Sequence, residues 1–301
     1  FHTLRYFNEK NNENILKRIY GIEADNNGRL WLGGENELTL CQDNKVMRTW
    51  DVSPYQKRSS SVIYIIKQSR DGQIWLGVND EGVICYNPQK DTFKHLVLGQ
   101  DYLDIHALYE DEKNNMWIGS EDGIFSCYMG KVEKEKKMNQ QMDNSTIYAI
   151  MQDKLSRIWV GTLGGGVYIF NNEKKLMTHL TMMSGLHSNN INQIFRDTEG
   201  GIWIATYNGL AYIKNMNYLE EIEIYNERHG LKDCHIRAIQ QDRSGNIWVS
   251  TYTGIACWNM HQQKFYNYDF HEGVPLGGFA ESSAATASDG TIYFGSPNGV
   301  C

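Results

Sequence analysis

An aromatic residue returns at a nearly constant interval along almost the whole chain, and this recurrence restricts the fold more than any other feature. Six tryptophans each close a turn-like segment: Asp25-Asn-Asn-Gly-Arg-Leu-Trp31, Arg70-Asp-Gly-Gln-Ile-Trp75, Asp111-Glu-Lys-Asn-Asn-Met-Trp117, Asp153-Lys-Leu-Ser-Arg-Ile-Trp159, Asp197-Thr-Glu-Gly-Gly-Ile-Trp203 and Asp242-Arg-Ser-Gly-Asn-Ile-Trp248. A seventh, Ser288-Asp-Gly-Thr-Ile-Tyr293, carries tyrosine instead. Subtracting successive positions gives spacings of 44, 42, 42, 44, 45 and 45 residues. Units of about 40–50 residues are the size of a four-stranded propeller blade. Helical repeats of similar period lack so many glycine-containing turns and β-branched runs.

Each unit reads as four short strands. Nine residues before the aromatic stands Ile22, Ile66, Leu108, Ile150, Ile194 or Ile239, and three residues earlier again Ile19, Ile63, Ile105, Ile147, Ile191 or Ile236. The Asp/Asn/Gly cluster that follows is hairpin chemistry, because Gly and Asn tolerate positive φ. Two residues after the aromatic comes a small residue: Gly33, Gly77, Gly119, Gly161, Ala205, Ser250 or Gly295. A small side chain there lets neighbouring sheets approach while the aromatic ring fills the gap between them. Core packing is therefore the reading for Trp31, Trp75, Trp117, Trp159, Trp203, Trp248 and Tyr293.

The expected fold is all-β, a seven-bladed propeller of four-stranded antiparallel blades forming one domain over residues 1–301. The blades fall near 15–50, 58–97, 101–138, 143–181, 187–226, 232–269 and 279–301. The seventh unit stops at Gly299-Val-Cys301 without an outer strand, whereas Phe1 to Phe7 reads as a surplus strand before the first unit. Pairing the two would close the ring and cover a sheet edge. Residues 1–8 are accordingly expected to complete the last blade.

Composition narrows the function classes. The net charge is −7, and the one basic run, Lys131 to Lys137, also carries Glu133 and Glu135. It reads as an exposed charged hairpin, and a nucleic-acid partner, which needs clustered Lys and Arg, is not expected. No apolar run reaches the ~18 residues of a membrane span. Cys41, Cys85, Cys127 and Cys257 lie in apolar strand-like runs, where a free thiol behaves as a small hydrophobe. Cys234 lies in a connecting segment and Cys301 ends the chain; no spacing suits zinc.

No nucleophile elbow or metalloprotease motif occurs, so no catalytic residue, metal site or cofactor is expected. The repeated Asp-x-x-Gly turns offer about one carboxylate each, too few for calcium, and read as turn caps. Variation within the repeat is more informative. Eleven residues before each tryptophan stand Tyr20, Tyr64, His106, Tyr148, Asn192 and Arg237, beside an invariant Ile. Rotational symmetry would ring them around the mouth of the central channel. Turns on the same face add Tyr207, Asn208, Tyr252 and Thr253. Aromatic rings with interleaved Asn and Arg suit sugars, the rings stacking on C–H faces and the polar groups taking hydroxyls or acidic groups. Tyr20, Tyr64, His106, Tyr148, Asn192, Arg237, Tyr207 and Tyr252 are the candidate ligand-binding residues.

The recurring Ile-x-x-Ile…Asp-x-x-Gly-x-Ile-Trp-Ile-Gly-Thr pattern resembles the two-component regulator propeller repeat. Ile191-Asn-Gln-Ile-Phe-Arg-Asp-Thr-Glu-Gly-Gly-Ile-Trp-Ile-Ala-Thr-Tyr-Asn-Gly-Leu210 follows it closely, and Ser184-Gly-Leu-His-Ser-Asn-Asn190 is similar to its linker. Ser69 departs from it where most units have Asp, as does Glu37 where Gly is usual. The resemblance implies a periplasmic sensor propeller from a hybrid two-component system of Bacteroides-type bacteria. It further implies a fragment of a longer inner-membrane receptor, with a neighbouring propeller and an immunoglobulin-like domain as partners. The implied ligand is a glycan-derived oligosaccharide, and the kinase domains would lie outside this chain. Two alternatives remain at this stage: a propeller lyase acting on polysaccharide or streptogramin, and a protein-interaction scaffold that self-associates, for instance as a homodimer.

Overall fold

The computed structural model describes residues 6–8, 13–15, 18–43, 45–56, 61–99, 103–143 and 145–301. Seven antiparallel sheets follow one another along the chain and form a seven-bladed β-propeller. The fourth blade is representative. Ile147–Gln152 pairs with Ile158–Thr162, which pairs with Gly166–Phe170, which pairs with the outer strand Leu176–Leu180. Tyrosine, valine and isoleucine fill the two middle strands, and all of their residues are buried because sheets cover both faces. The outer strand alternates half-buried and exposed residues until Leu180.

The inner strands face the channel, and the blades lock together through a contact repeated from unit to unit. A Cβ added at Gly161 would lie 2.6 Å from Ile191 Cγ2 of the next blade. At Gly33, Gly77 and Gly119 the same construction meets Ile63, Ile105 and Ile147 at 2.6–2.7 Å. In these four units the glycine after the aromatic is thus the socket for the first Ile of the following unit. Real Cβ contacts are not this short, so the close approach depends on glycine.

The aspartate opening each turn explains the conserved geometry of the aromatic. In the fourth unit Asp153 Oδ1 accepts from the backbone N–H groups of Leu155 and Arg157, both at 2.9 Å. Its Oδ2 accepts from Trp159 Nε1 at 2.8 Å and Arg157 Nε at 2.6 Å. Asp25, Asp111, Asp197 and Asp242 hold Trp31, Trp117, Trp203 and Trp248 in the same way, at 2.8–3.2 Å. The second unit departs from this pattern: Ser69 replaces the aspartate, and the buried Trp75 Nε1 has no partner. These carboxylates are therefore consumed by turn and indole donors, consistent with caps and not calcium ligands.

Trp31, Trp75, Trp117, Trp159 and Trp203 are buried, while Trp248 and Tyr293 are half-buried at the sixth and seventh blades. All six cysteines are buried and unpaired. Burial pushes the Cys41, Cys234 and Cys257 thiols up to about 12, which leaves them protonated and unreactive. The Lys131 run begins as the expected hairpin strand, Lys131–Lys134, but continues as a short helix, Lys136–Gln141, that buries Met138 and Asn139.

The seventh and first blades meet at the seam of the ring. The described part of the N-terminal segment, Tyr6–Asn8, pairs with Glu13–Ile15 and meets the outer strand of the first blade through Phe7 and Lys45. It does not pair with Gly299–Val300, which is the last of three described strands in the seventh blade. Residues 1–5 of the predicted closing strand lie outside the described residues. The seam between the seventh and first blades also carries the contact used elsewhere. Ile19 N donates to Ser296 O at 3.0 Å, as Ile63 N donates to Gly34 O at 3.0 Å one blade on. Ile19, Ile22, Leu30 and Leu32 bury against Ala285 and Val300 across it.

Candidate functional site

Five of the seven inner strands carry a bulge at one position, and that position is the one whose side chain varies from blade to blade. The pairing register slips between Ile63 and Ile65, Ile105 and Ala107, Ile147 and Ala149, Ile191 and Gln193, and Ile236 and Ala238. The extra residues are Tyr64, His106, Tyr148, Asn192 and Arg237. A bulge re-aims the side chain it carries and releases it from the ladder's alternation, which is why such residues cluster at functional sites. The preceding Ile can then fill its socket in the previous blade while the bulged residue turns to the channel mouth.

Six of the eight candidate residues meet around one cavity of about 440 Å³: Tyr20, Tyr64, His106, Tyr148, Arg237 and Tyr252. Asp104, Phe279, Glu281 and Ser282 complete its polar and aromatic wall. The rings form an arc across successive blades. Tyr20 meets Tyr64 edge-on at 5.7 Å, Tyr64 lies 6.5 Å from His106, and His106 stacks on Tyr148 at 4.3 Å with planes 8° apart. On the opposite wall Arg237 ion-pairs with Glu281, and its guanidinium lies 5.5 Å from the centre of the Tyr252 ring.

The other two candidates are placed differently. Asn192 is fully buried and donates from Nδ2 to Ile236 O at 2.7 Å, tying the fifth blade to the sixth. Its backbone oxygen accepts from Ser282 Oγ at 2.8 Å, linking the fifth and seventh blades. Tyr207 packs on His235 at 4.3 Å, and His235 in turn stacks towards Tyr252 at 6.3 Å. Asn208 and Thr253 sit in the adjoining turns, Thr253 donating to Asp233. Several polar atoms at this end are buried without a partner: Asn192 Oδ1, Arg237 Nε and His235 Nε2.

Burial raises the Tyr64 phenol, with Asp104 adding to it, and pushes Tyr148 up to about 12, with Glu281 adding to it. Burial lowers the His106 imidazole against the pull of Asp104, and burial together with Arg237 lowers His235. At neutral pH the wall therefore offers phenol hydroxyls and uncharged imidazoles, groups that both donate and accept. A second cavity of about 360 Å³ shares Tyr148 and Ser282 with the mouth and continues along the channel past Ile22, Ile66, Leu108, Ile150 and Ile194. It also reaches Glu23 and Lys67, which pair at 2.7 Å. Among the described residues, no three His, Cys, Asp or Glu side chains come together as a metal site would require.

Sequence reasoning missed Asp104, Glu281 and Ser282. Ser282 stands eleven residues before Tyr293, so extending the repeat arithmetic to the seventh unit reaches it. Asp104 lies in one of the connections between blades, and Glu281 stands twelve residues before Tyr293, where the other six units carry the first Ile. Those connections have their own recurring device. Thr181, Asn226 and Asp269 each cap a short 3-10 turn reciprocally, and Gly185, Gly230 and Gly273 end the turns in the left-handed region.

The profile of the family described as two component regulator propeller matches residues 15–36, 99–122, 141–164, 185–208 and 230–253. Five of the chain's seven units are two component regulator propeller repeats. The regulator-propeller units outside the matched segments are those of Trp75, with Ser69 in place of aspartate, and Tyr293. Among solved structures, the extracellular domain assigned to a hybrid two-component system of B. thetaiotaomicron is 30% identical, with a TM-score of 0.87 over 95% of this chain. The match covers 39% of that chain, so this regulator propeller spans well under half of that relative. A streptogramin B lyase is 16% identical with a TM-score of 0.75, covering 96% of this chain and 94% of its own. An inactive virginiamycin B lyase of Staphylococcus aureus, solved with quinupristin, is 13% identical with a TM-score of 0.73, covering 95% and 94%. At these identities the two lyases share the fold alone. No curated protein sequence matches at a significant level. No helix among the described residues is long and apolar enough to cross a membrane.

Proposed function

We propose that this chain is the extracytoplasmic ligand-sensing propeller of a hybrid two-component receptor, and that it binds a glycan-derived oligosaccharide at the channel mouth. The observation that carries this reading is the convergence of four tyrosines, His106 and an Arg237–Glu281 pair on one cavity at the bulged ends of the inner strands. Ring faces stack on the C–H surfaces of pyranosides, and the hydroxyl, imidazole and guanidinium groups meet their hydroxyls. Similarity to the B. thetaiotaomicron extracellular domain supports the sensor role and a periplasmic location. The signal would pass through a neighbouring propeller and an immunoglobulin-like domain to kinase domains outside this chain. The role is binding, not catalysis: the mouth presents stacked rings and a neutralised arginine in place of an exposed acid and base.

Calorimetric titration against a panel of oligosaccharides tests this reading. At least one should bind, and Tyr252→Ala or Tyr148→Ala should weaken it by about tenfold, the worth of one lost ring contact, with little change in melting temperature. Undiminished affinity in both variants would reject the mouth as the site.

A further inference from the structure

The charges around the mouth do not match those of an acidic sugar. We infer that the mouth discriminates by charge, admitting uncharged oligosaccharides and rejecting those that carry uronate or sulfate, and that Glu281 sets this preference. The inference rests on the reading of the mouth as a saccharide site and adds which class of saccharide enters it.

Three charged side chains line the cavity: Arg237, Glu281 and Asp104. The guanidinium is the one group there able to pair with an anionic ligand, and its Nη1 is committed to Glu281. The two side chains are 15% and 32% exposed, so the pair sits in a partly dry environment where opening it is costly. The Nε of Arg237 is buried without a partner and out of a ligand's reach. Asp104, also on the wall, has no cation opposite it among the described residues; it accepts from the backbone N–H of Asp80 at 2.7 Å. Two carboxylates against one guanidinium leave the wall net negative. A carboxylate or sulfate entering the mouth would therefore meet uncompensated negative charge or have to break the Arg237–Glu281 pair. One unscreened charge at this range changes affinity by about tenfold.

The test is binding of the whole chain to two matched sets on one glycan array. One set holds neutral gluco-, manno-, galacto- and xylo-tetrasaccharides, and the other their uronate- or sulfate-bearing counterparts. Wild-type protein should bind within the neutral set. Glu281→Gln, which frees Arg237 and removes one negative charge, should raise binding of the acidic counterpart relative to the neutral ligand by about tenfold. Asp104→Asn should shift the ratio in the same direction while keeping its bond to Asp80. Wild-type binding confined to acidic ligands, or a ratio unmoved in both variants, would overturn the charge selection while leaving the saccharide site standing. Binding to neither set would overturn both. Melting temperatures of the two variants separate a charge effect from misfolding.

Discussion

Replacing Asp153 by alanine isolates what the repeated aspartate does for the fold. Asp153 is fully buried and accepts four bonds: two from turn backbone, one from Trp159 Nε1 and one from Arg157 Nε. Its loss leaves a nearly buried guanidinium without its anion and an indole N–H without an acceptor. Breaking a buried ion pair costs about 3–5 kcal/mol, and an orphaned buried donor about 1–3 kcal/mol. The two overlap because one carboxylate serves both, so we expect about 4 kcal/mol. Ser69 stands at the same repeat position but takes no bond from Trp75, and its hydroxyl donates only to Asp71 and Gln73 O. Ser69→Ala should cost about 1 kcal/mol. Urea denaturation followed by tryptophan fluorescence measures both. Combining Asp153→Ala with Trp159→Phe, which has no indole N–H, should recover about 1–2 kcal/mol of the coupling. Equal midpoints for Asp153→Ala and Ser69→Ala would refute the claim that the carboxylate braces the aromatic.

Gly161→Ala places a methyl 2.6 Å from Ile191 Cγ2 and 3.1 Å from Ala149 Cβ, and should cost about 1–3 kcal/mol by overpacking. Ile191→Ala, which removes Cγ2, should cost less in that background than in wild type, and additive denaturation midpoints would argue against the socket. Stability should also fall on acidification below about pH 6.5, the usual histidine value. His106 and His235 are lowered by burial in the folded chain, so the unfolded chain takes up protons first as pH falls. Their contribution is complete above the unfolded value and is lost as pH drops towards the folded one. Thermal melts from pH 7.5 to 5 measure this, and His106→Gln should flatten the profile; an unchanged slope would contradict it.

The blades were legible because each unit states its register several times over. The Ile, the turn aspartate, the aromatic and the small residue fix four points of one hairpin, and a shift of one residue would put all of them on the wrong face. The same arithmetic reached Tyr20, Tyr64, His106, Tyr148 and Arg237, because the varying position lies inside the register. It misplaced Asn192, whose amide turns to the next blade's backbone instead of the cavity. The bulge was invisible, since an extra residue common to the units leaves their spacing unchanged. The packing at the seam was less legible: Gly295 and Ile19 approach there as the equivalent residues of other blades do, and nothing local to either segment reveals that. Asp104 and Glu281 were missed because partners across the mouth are set by the circle of blades, not by distance along the chain.

Hydrogen–deuterium exchange with and without the tightest-binding oligosaccharide of the panel tests the central claim most directly. Ligand seated at the mouth should slow exchange in peptides spanning residues 104–108, 147–151 and 277–283, whose side chains line one cavity although they are distant in sequence. Peptides from the turns at the other end of the blades, such as residues 153–157, should be unaffected. Protection confined to those turns, or to the region of Glu23 and Lys67 with the mouth unchanged, would contradict the account.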